Sequence, residues 1–145
     1  MNLNIQVKKV ENLEEGIALS DFLLTHMNSC PHYPIYHPDI TGEDRIGVIG
    51  KSYDKVIQKG IVACAILYPL PEERNRFLMS DLLVHPAHRG RGLPQKLFEW
   101  ISKEYRGVEI YANPINERVQ KLLMERLGFR QLVGADRTRL SLKVA

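Results

Sequence analysis

The sequence predicts a mixed α/β domain whose helices cover both faces of a central sheet. Strand-like and helical segments alternate along the chain, which favours that architecture. Apolar residues make up 44% of the 145 residues, as is ordinary for a globular domain. A chain of this length suits one core, so we expect residues 1–145 to form a single domain.

The first half of the chain predicts a strand, a helix and a long loop. Imperfect alternation over 5–10 predicts the strand, and apolar residues at helical spacing predict the helix over 14–27. Three prolines within 31–42 indicate the loop. The next stretch is ambiguous and permits short strands over 45–49 and 55–57.

The second half predicts a hairpin, a helix and a further strand. A run of branched apolar residues predicts a buried strand over 61–68, with 77–84 as its hairpin partner. Apolar residues on one face predict a helix over 93–105, and a strand over 108–112 follows it.

Asn116 predicts the start of the last helix, because its side-chain oxygen can accept a hydrogen bond from an amide of the first turn. Gly128 is expected to end that helix in the left-handed conformation. Two final strands are expected over 129–133 and 138–144, around the turn 134–137.

Composition excludes several classes of protein. The longest apolar run, 61–70, is half the ~20 residues of a membrane helix, so no membrane association is expected. Residues 1–10 lack the basic and apolar regions of a secretory signal. With only Cys30 and Cys64 a disulfide framework is excluded, and we expect a reduced, cytoplasmic setting.

The net charge of +3 is unevenly distributed, with −3 over residues 1–72 and +6 over 73–145. A basic half suits phosphates and an acidic half suits a cationic substrate, although chance also produces such a split. The basic half lacks aromatic interleaving and a recognition motif, so we expect nucleic acid not to be a partner.

Residues 82–97 join a predicted strand to a predicted helix through a loop rich in glycine and arginine. A helix start offers unpaired amides and a positive dipole end, and glycines let the backbone approach an anion closely. With Arg89 and Arg91 these features predict phosphate binding; a plain basic turn is the alternative. The P-loop and the three-glycine dinucleotide pattern are both absent from the sequence.

Val84-His85-Pro86 followed by Arg89-Gly90-Arg91-Gly92 resembles the central motif of the GNAT superfamily of acetyl-CoA-dependent N-acetyltransferases. The family pattern is Gln/Arg-x-x-Gly-x-Gly/Ala. A second family block begins at Asn116 and ends in Gly128-Phe129. The resemblance covers almost the whole chain and implies the GNAT-like acyl-CoA N-acyltransferase fold, a central mixed sheet with helices on both faces.

The resemblance also implies acetyl-CoA as the acyl donor, with a defined place along the chain. Its pantetheine arm is expected beside the strand at Leu82 and Val84 and close to Asn116, and its pyrophosphate on the loop. An amide near Leu82 is expected to polarise the thioester carbonyl. The implied cofactor-binding residues are Leu82, Leu83, Val84, Arg89, Gly90, Arg91, Gly92, Leu93, Pro94, Gln95 and Asn116.

Two positions depart from the family pattern. Pro94 replaces Gly or Ala at the sixth motif position, which removes one amide that would face phosphate. Met124, or Leu123 in the other alignment, stands where the family often has a tyrosine that protonates the leaving thiolate. Neither side chain can donate a proton.

An ammonium must lose a proton before it attacks a thioester, so a base is expected. Asp81 is the first candidate, because a carboxylate on an apolar strand is unusual; a structural ion pair is its alternative. Tyr111 is a second catalytic candidate that could line the acceptor cleft, with plain packing on the sheet as its alternative. His85 and His88 are expected to be exposed polar residues.

Aromatic, histidine and cysteine residues cluster around the predicted 31–42 loop; they are His26, Cys30, His32, Tyr33, Tyr36 and His37. Their spacing matches no structural zinc pattern, so we expect no metal site. An acceptor-binding loop and an ordinary packed loop are the two interpretations. Cys64 is expected to be a small core residue.

The sequence thus predicts an N-acetyltransferase that moves an acetyl group to a primary amine by direct attack in a ternary complex. A small amine, a peptide amine and a protein amine all remain open as acceptors, and so does a homodimer. The alternative is a catalytically weak or silent module of the same fold that binds acyl-CoA or a partner protein.

Overall fold

The computed structural model describes residues 5–26, 46–54, 58–70, 75–114, 116–132 and 139–144. The strands are β1 Ile5–Lys9, β2 Ile46–Asp54, β3 Gln58–Pro69, β4 Arg76–Val84, β5 Glu109–Ala112, β6 Arg130–Gln131 and β7 Leu140–Lys143. The helices are α1 Leu13–His26, α2 Leu93–Glu104 and α3 Glu117–Lys121, and α3 continues as a π-helical turn over Leu122–Arg126.

The strands form one sheet in the order β1-β2-β3-β4-β5-β7-β6. The pair β4–β5 is parallel and the other recorded pairs are antiparallel. The parallel pair arises because α2 carries the chain over the sheet between β4 and β5, as a crossover must. The predicted mixed sheet is therefore confirmed.

Helices pack on both faces of the sheet, as predicted. On one face α2 contributes Leu97 and Ile101 to a core that includes Leu67 of β3. On the other face α1 contributes Leu23 to a core that includes Ile66, the neighbour of Leu67. Successive strand residues point to opposite faces, so β3 has to be apolar on both sides, which explains its unbroken apolar run.

The helix α1 begins with a capping arrangement that the sequence analysis did not identify. The side-chain oxygen of Asn12 accepts a 2.8 Å hydrogen bond from the Glu15 amide, and Glu15 Oε1 accepts a 3.0 Å bond from the Glu11 amide. The buried Glu15 carboxylate also forms an ion pair with Lys8 at 2.8 Å. Two unpaired amides at the helix start are thus satisfied, and the helix is tied to β1.

Gly128 ends the last helix as predicted, with φ +83°. The Phe129 amide donates a 2.9 Å hydrogen bond to the Leu123 carbonyl across the π-helical turn. None of the helices in the described part of the chain is long and apolar enough to cross a membrane.

Within the described part of the ambiguous stretch, the strand β2 runs from Ile46 to Asp54 and pairs with β1 and β3. Cys64 is fully buried as predicted, and burial raises the pKa of its thiol. The predicted loop over 31–42, the short strand over 55–57 and the turn over 134–137 lie outside the described residues.

Candidate functional site

The strands β4 and β5 separate in the middle of the sheet. Their ladder ends at the pair Met79–Ala112, whereas β4 runs on to Val84. The backbone of β4 that faces β5 beyond this point therefore carries hydrogen-bonding groups that β5 does not use, within the residues described. We call the stretch Leu82–Val84 the open edge of β4.

A β-bulge lies at the start of the open edge. Across the β3–β4 pair, Cys64 is opposite Leu83 but Ile66 is opposite Ser80, so β4 has one extra residue there. The backbone of Asp81 has φ +55°, a left-handed conformation that aspartate tolerates better than most residues. The Asp81 carboxylate accepts a 3.0 Å hydrogen bond from the Ser80 hydroxyl, so the bulge presents a carboxylate beside the open edge.

The open edge leads into the loop that the sequence analysis singled out. Gly90 and Gly92 adopt φ +78° and +74°, and a Cβ at Gly90 would meet no heavy atom within 4 Å. Arg89 and Arg91 are exposed, and no carboxylate of the described ranges lies within 4.0 Å of either guanidinium. This combination of open backbone and unneutralised cations suits a phosphate.

The helix α2 starts immediately after this loop. Gly92 is its N-cap, Leu93 is buried, and Pro94 occupies the second helical position, where a missing amide breaks no intrahelical bond. The remaining unpaired amides of the first turn point out of the helix end toward the loop.

Asn116 caps α3, as predicted. Its side-chain oxygen accepts a 2.9 Å hydrogen bond from the Val119 amide, and the residue is exposed. Leu123 and Met124 are the two residues that align with the tyrosine often found in the family. Leu123 is buried and Met124 is 37% exposed. Met124 is therefore the one whose side chain reaches the surface.

Three histidine rings form a row beside the loop. The ring centroid of His85 lies 4.6 Å from that of His26 at the end of α1 and 5.7 Å from that of His88. His88 is only 1% exposed, so the expectation that it is an exposed residue is wrong. A 3₁₀ turn over Pro86–His88 folds the chain back, and the His88 amide donates to the His85 carbonyl at 2.9 Å.

Tyr111 lies in a polar cluster on the face of β5 that does not carry Ile110. Its hydroxyl donates a 2.8 Å hydrogen bond to Glu109 Oε1, and the Ser141 hydroxyl donates to Glu109 Oε2 at 3.0 Å. These bonds, together with the Arg76 guanidinium at 3.3 Å, hold the pKa of Glu109 below its usual range despite its partial burial. Glu109 is thus an ionised anchor for Tyr111.

The structure brings the bulge at Asp81, the open edge, the loop and the start of α2 into one continuous stretch. The sequence analysis missed the partners of Tyr111, and it missed the contact between His26 and His85. The alternation of polar Glu109, Tyr111 and Asn113 with buried Ile110 and Ala112 could have indicated a polar sheet face. Among the residues that the structure describes, no group of three or more potential ligands could hold a metal ion.

The profile of one protein family, described as an acetyltransferase (GNAT) domain, matches residues 51–131, more than half of the chain. The chain belongs to the GNAT acetyltransferase family. No curated protein matches its sequence.

Solved structures agree with this GNAT assignment at the level of the fold. The GNAT N-acetyltransferase YhbS from Escherichia coli, in complex with CoA, is 12% identical with a TM-score of 0.69, over 100% of this chain and 84% of that one. A GNAT acetyltransferase from Desulfovibrio desulfuricans is 15% identical with a TM-score of 0.75, over 97% and 99% of the two chains. KacTA in a complex with DNA is 18% identical with a TM-score of 0.67, over 97% and 93%.

Proposed function

We propose that the protein transfers an acetyl group from acetyl-CoA to a primary amine, by direct attack within a ternary complex. The observation that carries this proposal is the open edge of β4, which leads directly into a glycine-arginine loop and a helix start. The CoA complex of YhbS, a protein of similar fold, supports a coenzyme A thioester as the donor.

The residues present fit such a donor. The amides of the pantetheine arm would pair with the open edge as an added strand does. The pyrophosphate would lie on the amides and side chains from Arg89 to Gln95, where the backbone is open and two arginines lack a described anionic partner. The Asn116 side-chain nitrogen, which the cap bond does not use, would donate to the arm.

The bound thioester supplies an electrophilic carbonyl carbon and a thiolate leaving group. The amide of Leu82, beside the bulge, would donate to the carbonyl oxygen as negative charge develops on it, an interaction worth ~2.7–4 kcal/mol in other enzymes. The acceptor nitrogen bonds to the carbonyl carbon as the carbon–sulfur bond breaks.

Asp81 would accept the proton that the acceptor ammonium must lose. Its carboxylate accepts a 3.0 Å hydrogen bond from the Ser80 hydroxyl, which holds it beside the open edge. The departing thiolate would take its proton from water, since Leu123 and Met124 cannot donate one. This is tolerable because thiols ionise with a pKa of ~8.5.

Free-thiol release from acetyl-CoA across a panel of amines and peptides tests the proposal. Asp81→Asn is the sharpest variant, because asparagine also tolerates the left-handed backbone and keeps the side-chain shape. We expect kcat to fall by about 10²–10⁴ with the Kd of acetyl-CoA unchanged. An unchanged kcat would remove Asp81 from this role.

The second candidate function is a binding module that holds acetyl-CoA without turnover. The absence of a proton donor at positions 123 and 124 and of an amide at Pro94 favours it. Thermal stabilisation by acetyl-CoA without thiol release over the whole panel would select it over the enzyme.

The sequence leaves the acceptor open among a small amine, a peptide amine and a protein amine, and it leaves a homodimer open as well. A cytoplasmic location stays a prediction. The expectation that nucleic acid is not a partner also stays a prediction, because KacTA, which shares the fold, is found in a complex with DNA. A negligible affinity for DNA and RNA that does not depend on the salt concentration is the expected result.

A further inference from the structure

Two arginine guanidinium groups lie close to the ring of Tyr111. The guanidinium carbon of Arg76 is 6.0 Å from the ring centroid and that of Arg139 is 5.8 Å away. The two arginines make similar contacts with the ring but differ in their charged neighbours. That difference points to a function for one of them.

The charge of Arg76 is neutralised inside the cluster, since its Nε lies 3.3 Å from Glu109 Oε1. Arg139 has no carboxylate within 4.0 Å among the residues that the structure describes. Its Nε donates a 3.3 Å hydrogen bond to Asn113 Oδ1, so both the Tyr111 ring and the Asn113 amide contact the guanidinium. Its two terminal nitrogens have no hydrogen-bond partner among the described residues, and they form one of the pairs of donors with which a guanidinium binds a carboxylate in a bidentate manner.

Arg139 lies where β4 and β5 separate. The register pairs Ala112 with Leu140, which places Arg139 opposite Asn113, one residue beyond the last β4–β5 pair. Ser80 occupies the corresponding position on β4, and strand alternation puts it on the same face as Tyr111. Asp81 borders the gap from β4 and Asn113 borders it from the β5 side. The Arg139 guanidinium reaches that second border through its contact with Asn113.

A cation on one side of the gap and a carboxylate on the other form a complementary site for a zwitterion. We propose that Arg139 selects an acceptor that carries a carboxylate together with its primary amine, that is, a free amino acid. This inference rests on the proposed function. The acceptor amine would lie toward Asp81 and its carboxylate on the terminal nitrogens of Arg139.

The test measures thiol release from acetyl-CoA with glycine, β-alanine, γ-aminobutyrate and phenylalanine, each beside its carboxamide. For each pair the ratio of kcat/KM, acid over carboxamide, is compared between the natural protein and Arg139→Gln. Intrinsic differences in amine basicity cancel in that comparison. We expect Arg139→Gln to lower the ratio by about tenfold or more, as the loss of a charged bidentate contact does, with most of the change in KM.

Two further variants separate charge from position. Arg139→Lys should recover part of the ratio, because it restores the charge without the planar fork. Arg106→Gln, an exposed position in the turn before β5, should leave the ratio unchanged. A ratio that Arg139→Gln does not alter, in a protein that acetylates amines, overturns the inference and leaves the proposed function intact.

Thiol release with the wider panel of amines and peptides but with none of these acceptors would overturn the inference alone. Thiol release with neither set would refute the proposed function instead. The inference is then decided by calorimetric binding of the same amino acids and carboxamides to the protein loaded with CoA. Binding that favours the acid and is lost in Arg139→Gln supports it, and binding without that preference overturns it.

Discussion

The imidazole rings of His26 and His85 meet nearly edge to face, with their centroids 4.6 Å apart and an interplanar angle of 67°. This contact joins the end of α1 to the start of the loop that follows the open edge of β4. Phe22 covers His26 from the preceding turn at 4.9 Å. The His26 ring therefore has an apolar neighbour in Phe22 and a cationic neighbour in Arg89.

Folding stability should fall as the pH drops below about 6.5, in part because of His26. Burial, followed by the charges of His85 and Arg89, holds the pKa of His26 below its usual 6.5. As the pH falls through 6.5, His26 therefore binds a proton in the unfolded chain before it does so in the folded chain, and acidification favours unfolding. Urea unfolding between pH 7.5 and 5 should show a smaller loss in His26→Gln than in the natural protein. Two parallel curves would contradict the prediction.

Gly90 and Gly107 allow conformational strain to be separated from cofactor binding. They adopt φ +78° and +80°, and a Cβ at either meets no heavy atom within 4 Å. Alanine at each position should cost about 1–2 kcal/mol of unfolding free energy through backbone strain. Only Gly90→Ala should also weaken acetyl-CoA binding in calorimetry, because Gly107 lies in the turn before β5. Equal losses of affinity in both variants would speak against the loop as the phosphate site.

Asn116 should show two separable contributions. Asn116→Ala removes the 2.9 Å bond to the Val119 amide and should cost about 1 kcal/mol, whereas Asn116→Asp preserves the cap. Both variants remove the side-chain nitrogen that we assign to the pantetheine arm, so both should bind acetyl-CoA more weakly. The measurements are urea unfolding and calorimetry. Normal affinity in Asn116→Asp would exclude the contact with the arm.

Glu15 should stabilise the fold at neutral pH and lose that effect in acid. Burial alone would raise its pKa, but the Lys8 ammonium and the Glu11 amide outweigh burial and lower it. A lowered carboxyl pKa stabilises the protein above the unfolded value of 4.5, and the effect is lost as the pH falls through the folded value. Glu15→Gln should cost roughly 1–3 kcal/mol at pH 7, and this cost should shrink as the pH is lowered below 4.5. The exposed neighbour, Glu14→Gln, should stay within about 0.5 kcal/mol of the natural protein over the same pH range.

Local patterns were sufficient to predict most elements of the fold. The strand around Ile61–Tyr68 and the helix that begins at Leu93 both follow from side-chain periodicity, which a short window of sequence contains. The full length of β2 could not be predicted, because Gly47, Gly50 and Lys51 interrupt the pattern of apolar residues that identifies a strand. Its regularity comes from pairing with β1 and β3, which are distant in the sequence.

In the candidate site, too, some features follow from the local sequence and others depend on residues that are distant in the sequence. The glycine-arginine loop and the Asn116 cap are local, and the sequence predicts both. The bulge at Asp81 is defined by the register against β3, and a register belongs to two strands at once. The Glu109–Ser141 hydrogen bond joins residues 32 apart, so no local pattern could indicate it.

The open edge of β4 also bears on how the protein behaves without its ligand. Although β4 is an interior strand of the sheet, its open edge carries backbone groups that β5 does not use, and a strand of another molecule can add to such groups. Here the covering group would be the ligand itself. The apoprotein should therefore self-associate more readily than the acetyl-CoA complex. Binding of acetyl-CoA would then protect the protein against aggregation in addition to starting the reaction.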